Sequence, residues 1–223
     1  MRAGGPATVI LSTVVGSHAY GLATAASDID RRGVYAAPTE SFWRFEKPPS
    51  SVDGPLAEQL TWEVEHFCAL GLKGNPTVLE VLVSDRVEVC TDIGAELRAL
   101  LRAFLSERVA VSYERATAQQ LARATSAAEP KWKQVMHALR LLMVCRTLLA
   151  TGELRIDMRA DRDKLLAVRS GEVPLTECLA WADRLRTDIA AAPRAVPAEP
   201  DTRRVENWLV SVRRRNLDAH RTP

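Results

Sequence analysis

Gly16-Ser17-His18-Ala19-Tyr20-Gly21-Leu22-Ala23-Thr24-Ala25-Ala26-Ser27-Asp28-Ile29-Asp30 is the stretch on which the reading of this chain turns. The residues just before it, 7–15, are an uncharged run rich in Val, Ile and Thr. That density of β-branched side chains predicts a buried strand. The run stops at Gly16-Ser17, where a residue without a Cβ permits a tight turn and lets backbone N–H groups approach an anion. Eleven residues beyond Ser17 come Asp28, Ile29 and Asp30. A second strand is expected over residues 28–35, and its period of two sets both carboxylates on one face and Ile29 on the other. Two acids side by side repel each other, and a divalent cation between them relieves the repulsion.

Outward from this stretch, residues 1–6 read as a Gly/Pro-containing lead-in, and Gly21 with the small residues after it as the loop into the second strand. Residues 39–55 contain Phe42, Trp43 and Phe45, then Pro48-Pro49 and Asp53-Gly54-Pro55. They read as an irregular loop and a candidate flap over the site. A third strand is expected over 58–63. Helices then dominate: 64–72, one capped by Asn75 and opened by Pro76, and one capped by Thr91 that carries Ile93, Leu97, Leu100, Leu101 and Phe104 at helical spacing. Further helices are expected over 107–124, 131–150, 161–168 and 175–191, with Gly152 stopping the longest. A Pro/Ala linker, 192–200, precedes a last basic helix containing Trp208. Strands first and helices afterwards predict an α+β fold, a small mixed sheet followed by a helical bundle. The division is expected as a core over residues 1–90 with a helical domain over 91–223 packed on it.

With 223 residues, 47% hydrophobic and 26% charged, the chain has the composition of a soluble globular protein and enough length for a real core. A net charge of +2 excludes a global field that draws in nucleic acid. Of the 30 basic residues 25 are Arg, which suits bidentate phosphate contacts but equally reflects an Arg- and Ala-rich genome. Cys68, Cys90, Cys145 and Cys178 stand far apart, a spacing that fits reduced thiols and neither a zinc site nor a disulfide framework. No apolar run reaches membrane-span length and no signal-peptide pattern opens the chain, so a cytoplasmic protein without a membrane partner is expected.

Gly16-Ser17, a spacer, then Ser27-Asp28-Ile29-Asp30 resembles the signature of the DNA polymerase β-type nucleotidyltransferase superfamily. The run continued through Arg31-Arg32-Gly33-Val34-Tyr35, with segments 62–82 and 131–154 in the same order, is similar to the RNA repair pathway DNA polymerase β family. The likeness reaches to about Gly171. It implies transfer of a nucleoside monophosphate from an NTP or dNTP to an acceptor hydroxyl, a 3′ end of RNA or DNA in RNA repair. It also implies Mg²⁺, two ions with Mn²⁺ as a substitute, held by Asp28, Asp30 and a third carboxylate. The Gly16 amide and Ser17 hydroxyl would meet the β- and γ-phosphates. Glu58 and Glu63 are the candidates for the third acid; five apart, they face opposite ways on one strand. The family's usual Asp falls at Glu58, and the choice stays open.

Arg32 matches an Arg-Gly of the family, either neutralising the aspartates or reaching a phosphate. Lys133, His137 and Arg140 fall at i, i+4 and i+7 on one helix face, opposite Leu139, Leu142 and Met143. A basic stripe there fits a triphosphate or nucleic-acid phosphates, or else an ordinary exposed face, and His137 equally fits a core histidine. His66 stands where the family more often has Lys. Trp132, Trp181 and Trp208 read as helix packing, and Arg213-Arg214-Arg215 as a solvated end. Two other functions stay in view: AMP transfer to a protein or small molecule, and a non-catalytic nucleotide-binding module.

Overall fold

The structure, a computed structural model, describes residues 8–126 and 129–219. The lead-in expected over 1–6 lies outside the described residues. The first strand, β1 (Thr8–Val14), is buried over its last five residues and sits inside a five-stranded sheet of order β3-β4-β2-β1-β5. Its neighbours are β2 (Arg31–Ala36) and β5 (Val87–Cys90), both antiparallel to it. Beyond β2 lies β4 (Gln59–Glu63), parallel to it, and β3 (Ser51–Asp53) runs antiparallel at the edge. The sheet is therefore mixed, as the α+β expectation requires.

The second strand starts later than its sequence suggests. Residues 28–30 precede the ladder, because β1 ends at Val14, which pairs with Arg31, and the chain then turns away at Gly16. Asp28 and Asp30 thus belong to the loop entering β2, and strand pleat does not set their relation. Two strands were not anticipated. β3 lies within the stretch read as irregular, and β5 is a short edge strand whose Val87 and Val89 stay exposed. The flap reading of residues 39–55 is corrected as well. A 3₁₀ turn over Thr39–Trp43 docks on the C-terminal helix, with Thr39 Oγ1 donating to the Arg213 carbonyl at 2.6 Å.

Helix starts follow their caps. α1 (Val64–Leu72) begins where the Glu63 side chain accepts from the Glu65 amide, and α2 (Pro76–Val83) where Asn75 accepts from Val78. Thr91 caps α3 (Asp92–Ala99), each such cap being worth about 1 kcal/mol. The apolar stripe expected to run on to Phe104 breaks at Leu100, whose amide bonds back three residues to Leu97, and restarts as α4 (Leu101–Phe104). α5 (Arg108–Ala124) and α6 (Trp132–Thr151) follow, with Gly152 in the left-handed region at the end of α6. α6 is the hub of the helical half, packed on α5, on α7 (Arg162–Ser170) and on α8 (Leu175–Ala191).

One apolar cluster runs through both halves, from Ile10 and Val34 in the sheet to Leu142 in α6 and Leu185 in α8. The last helix, α9 (Thr202–Ala219), returns to the sheet. Arg213 on it pairs with Glu63 at 2.9 Å and lies 4.1 Å over the Phe42 ring, while Trp208 and Arg215 both bind Glu96. Arg213 and the exposed Arg215 therefore tie the last helix to Glu63 at the end of β4 and to Glu96 on α3, so the run is more than a solvated end. All four cysteines are unpaired, and among the described residues no helix is long and apolar enough to cross a membrane.

Candidate active site

The corner after β1 is built on Gly16, whose φ of +69° lies in the left-handed region. Its carbonyl accepts from the Ala19 and Tyr20 amides, closing a 3₁₀ turn over Gly16–His18. A Cβ on Gly16 would stand 2.6 Å from Asp30 Oδ2, and it is the backbone conformation that requires glycine here. The approach is fixed by the main chain, since the Val15 amide donates to the Asp30 carbonyl at 2.9 Å. Glycine corner and second acid therefore converge. The His18 ring, 3.2 Å from the Ser27 carbonyl, holds the loop that presents Asp28.

Asp28 is exposed and Asp30 half-buried. Neither carboxylate has a hydrogen-bond or ion-pair partner among the described residues, unlike the acids paired with arginine elsewhere in the chain. Ser17 is half-buried beside Gly16, with its carbonyl accepting from Leu22. Glu58, exposed and at φ +53°, immediately precedes β4, and its carbonyl accepts from the Arg31 amide at 3.0 Å. The parallel register that sets Arg31 beside Gln59 puts Glu58 at the Asp30 end of the sheet. Glu63 stands at the other end, buried and engaged by Arg213 and the Glu65 amide. It is not placed to serve the corner. Among the described residues no three His, Cys, Asp or Glu side chains gather as a metal-binding cluster.

Gly16, Asp30 and Arg32 line a cavity of about 320 Å³, closed on its far side by α2, α5 and α6. Arg32 Nη1 donates to the Arg31 carbonyl at 2.6 Å, and its guanidinium has no carboxylate partner among the described residues. Gly33 next to it allows close passage of β4, for a Cβ there would meet Gln59 Nε2 and Thr61 Oγ1 at 2.9 Å. Asp28, Ser17, Glu58 and Lys133 are not among the lining residues.

A family model described as the RNA repair pathway DNA polymerase beta family matches residues 2–211. The chain belongs to that family. Its description names a polymerase β-type enzyme, and the run from the Gly16 corner to Gly33 lies within the matched residues. Over 143 residues the chain is 27% identical to the uncharacterized protein YcgL of Bacillus subtilis (strain 168), covering 62% of this chain and 55% of that one. The match thus spans about half the length of this relative. No solved structure matches.

In this family member the stripe on α6 is graded rather than solvated. Lys133 is exposed, His137 half-buried and Arg140 buried at 4% exposure. Arg140 lines the cavity, yet it is not the free phosphate contact expected of it. Its Nη1 donates to Glu80 Oε1 at 2.7 Å, and its guanidinium lies 3.7 Å over the Tyr20 ring. Tyr20 in turn donates its hydroxyl to Glu80 Oε2 at 2.5 Å. Burial pulls the Arg140 guanidinium down, and Glu80, Tyr20 and Tyr113 together raise it above its ordinary value. Burial, then the Glu80 charge, pushes the Tyr20 hydroxyl far up, so it remains a donor.

Sequence reasoning missed both Tyr20 and Glu80. A lone carboxylate inside the otherwise apolar helix Pro-Thr-Val-Leu-Glu-Val-Leu-Val was the available signal, because a buried acid demands a cationic partner. The network also steadies the corner. Tyr20 donates its amide to the Gly16 carbonyl, and its own carbonyl accepts from Met158. Arg162 Nη2 donates to the Ala23 carbonyl at 2.8 Å, so the helical half holds the loop that leads to the two acids.

His137 does not contribute a positive charge. Burial, then the nearby Arg140, Lys133 and Arg169, pushes its pKa down to about 3. The unfolded chain takes up a proton near pH 6.5 and the folded one does not until far lower. Stability from this residue is thus full above pH 6.5 and lost as pH falls towards 3, with a slope of up to about 1.4 kcal/mol per pH unit. Thermal midpoints of His137→Gln and wild type, compared from pH 7.5 to 5, are expected to converge as pH falls; parallel curves would show that the fold leaves the His137 pKa unshifted.

Proposed function

We propose that the chain is a Mg²⁺-dependent nucleotidyltransferase that moves a nucleoside monophosphate from an NTP or dNTP to an acceptor hydroxyl, a nucleic-acid 3′ end in RNA repair. The acceptor oxygen bonds to the α-phosphorus, the bond from that phosphorus to the bridging oxygen breaks, and pyrophosphate leaves. The observation that carries this reading is the Asp30 carboxylate set against the Gly16 corner at the mouth of a cavity that also holds Arg32. Gly16 and Ser17 would receive the β- and γ-phosphates, and the Arg32 guanidinium, without a carboxylate partner among the described residues, would balance their charge.

Mg²⁺ takes hard oxygen ligands. Asp28 and Asp30 offer hard oxygen ligands that no protein donor occupies among the described residues, and they would hold the ion. When bound, it would neutralise charge on the phosphates and activate the attacking oxygen. Glu58, at the same end of the sheet, is the third acid of the proposal and the acceptor of the hydroxyl proton. Its exposed position outside the cavity lining favours, as a second reading, a module that binds nucleotide without transferring it.

One experiment separates these readings. The protein is incubated with each radiolabelled NTP and dNTP, with RNA, with DNA and alone, in Mg²⁺ and in chelator. Label is expected on a nucleic-acid 3′ end, and only with Mg²⁺. Label on the protein itself or on a small molecule would move the acceptor to AMP transfer. Binding without any covalent label would establish the non-catalytic module.

A further inference from the structure

The cavity has two chemically unlike walls. Its mouth is charged, with Asp30 and Arg32 beside the Gly16 corner. Its inner wall, from α2, α5 and α6, offers the neutral, half-buried hydrogen-bonding groups Thr77, Gln120 and His137, with the exposed Gln119 at its edge. The cation on that wall, Arg140, is already paired with Glu80, and burial keeps the His137 imidazole uncharged at neutral pH. A polyphosphate finds no free counter-charge there. A neutral heterocycle with a hydrogen-bonding edge finds donors, acceptors and the apolar flanks of Ala116 and Leu141.

Two side chains that line the cavity carry polar atoms without a partner. Gln120 Oε1 and Arg140 Nε are buried without any hydrogen-bond partner. Leaving such an atom unpaired costs about 1–3 kcal/mol, which a bound partner would recover. No hydrogen bond from the described residues holds the Gln120 amide, whose donor and acceptor can together meet an occupant. A volume of about 320 Å³ suits one small ligand rather than a strand of nucleic acid.

We propose that this inner wall is the nucleobase subsite of the enzyme and that the Gln120 amide reads adenine, accepting from its amino group and donating to a ring nitrogen. A primary amide matches the adjacent donor and acceptor of adenine in a bidentate pair. The inference rests on the nucleotidyltransferase reading, since it assigns the base of that triphosphate while the charged mouth takes the phosphates.

The test is equilibrium binding of ATP, GTP, CTP and UTP, each with Mg²⁺, to the full chain and to Gln120→Leu and Gln120→Glu. Far-UV circular dichroism and the thermal midpoint of each variant establish that it is folded. Wild type is expected to prefer ATP over GTP by about tenfold to hundredfold, and Gln120→Leu to abolish that ratio. Gln120→Glu, nearly isosteric, replaces a donor-acceptor pair by two acceptors. It is expected to reverse the preference, because guanine presents two neighbouring donors. Equal binding of all four by wild type, preference for another base, or an unchanged ratio in both variants would overturn the proposal. Wild type that binds no triphosphate at all defeats the transferase reading itself and takes the subsite with it, an outcome distinct from the others.

Discussion

Asp30→Ala is expected to lose Mg²⁺-dependent transfer by more than about a hundredfold while keeping the fold. Even residues that only support a metal ligand cost roughly 10–100-fold when removed, and Asp30 is proposed as the ligand itself. The fold has little to lose. The Asp30 side chain makes no hydrogen bond or ion pair among the described residues, and the contact that holds its backbone, from the Val15 amide, survives truncation. Label transfer at saturating Mg²⁺ and the thermal midpoint, measured on the same preparation, check the two halves of the statement. A variant of wild-type activity would remove Asp30, and with it the proposed Mg²⁺ site, from the chemistry.

The largest expected change in stability lies one layer behind the site. In Glu80→Ala the Arg140 guanidinium stays buried beside Tyr20 without its carboxylate. Breaking one member of a buried pair costs about 3–5 kcal/mol. At about 2–4 °C per kcal/mol for a chain of this size, the thermal midpoint is expected to fall by roughly 6–20 °C. The double variant Glu80→Leu/Arg140→Met removes both charges and is expected to regain only part of that loss, since the apolar pair needs no counter-ion but leaves the buried Tyr20 hydroxyl without its acceptor. If Glu80→Ala melts at the wild-type temperature, the Tyr20–Glu80–Arg140 contact contributes nothing to holding the corner. Nonadditivity between the two single changes is the signature of direct coupling.

Much of the architecture was legible because it depends on neighbours along the chain. The β-branched run before Gly16 became β1, Asn75 with Pro76 opened α2, Thr91 opened α3, and Gly152 closed α6. Each is a local decision about φ/ψ preference or an orphan backbone group, made within four or five residues. Strands β3 and β5 were not legible, for the opposite reason. Three or four residues carry too little periodicity, and only pairing with β4 or β1 makes them strands.

The candidate site divides in the same way. The glycine corner and Asp30 meet in the fold, whereas Asp28 lies outside the cavity lining and strand pleat does not pair the two acids. Where the second strand begins depended on which partner it found, and β1 ends too early to pair residues 28–30. The equivalence of Lys133, His137 and Arg140 was likewise a property of an isolated helix. Packing α6 against α2 and α5 exposed the first, neutralised the second and paired the third with Glu80. Local geometry sets which side chains share a face, whereas charge state and availability depend on the dielectric and partners around them, which exist only once distant segments have met. For that reason the sequence by itself determined the glycine corner and most helix ends of this protein, and only the tertiary structure decided which of its polar groups remain free to meet a ligand.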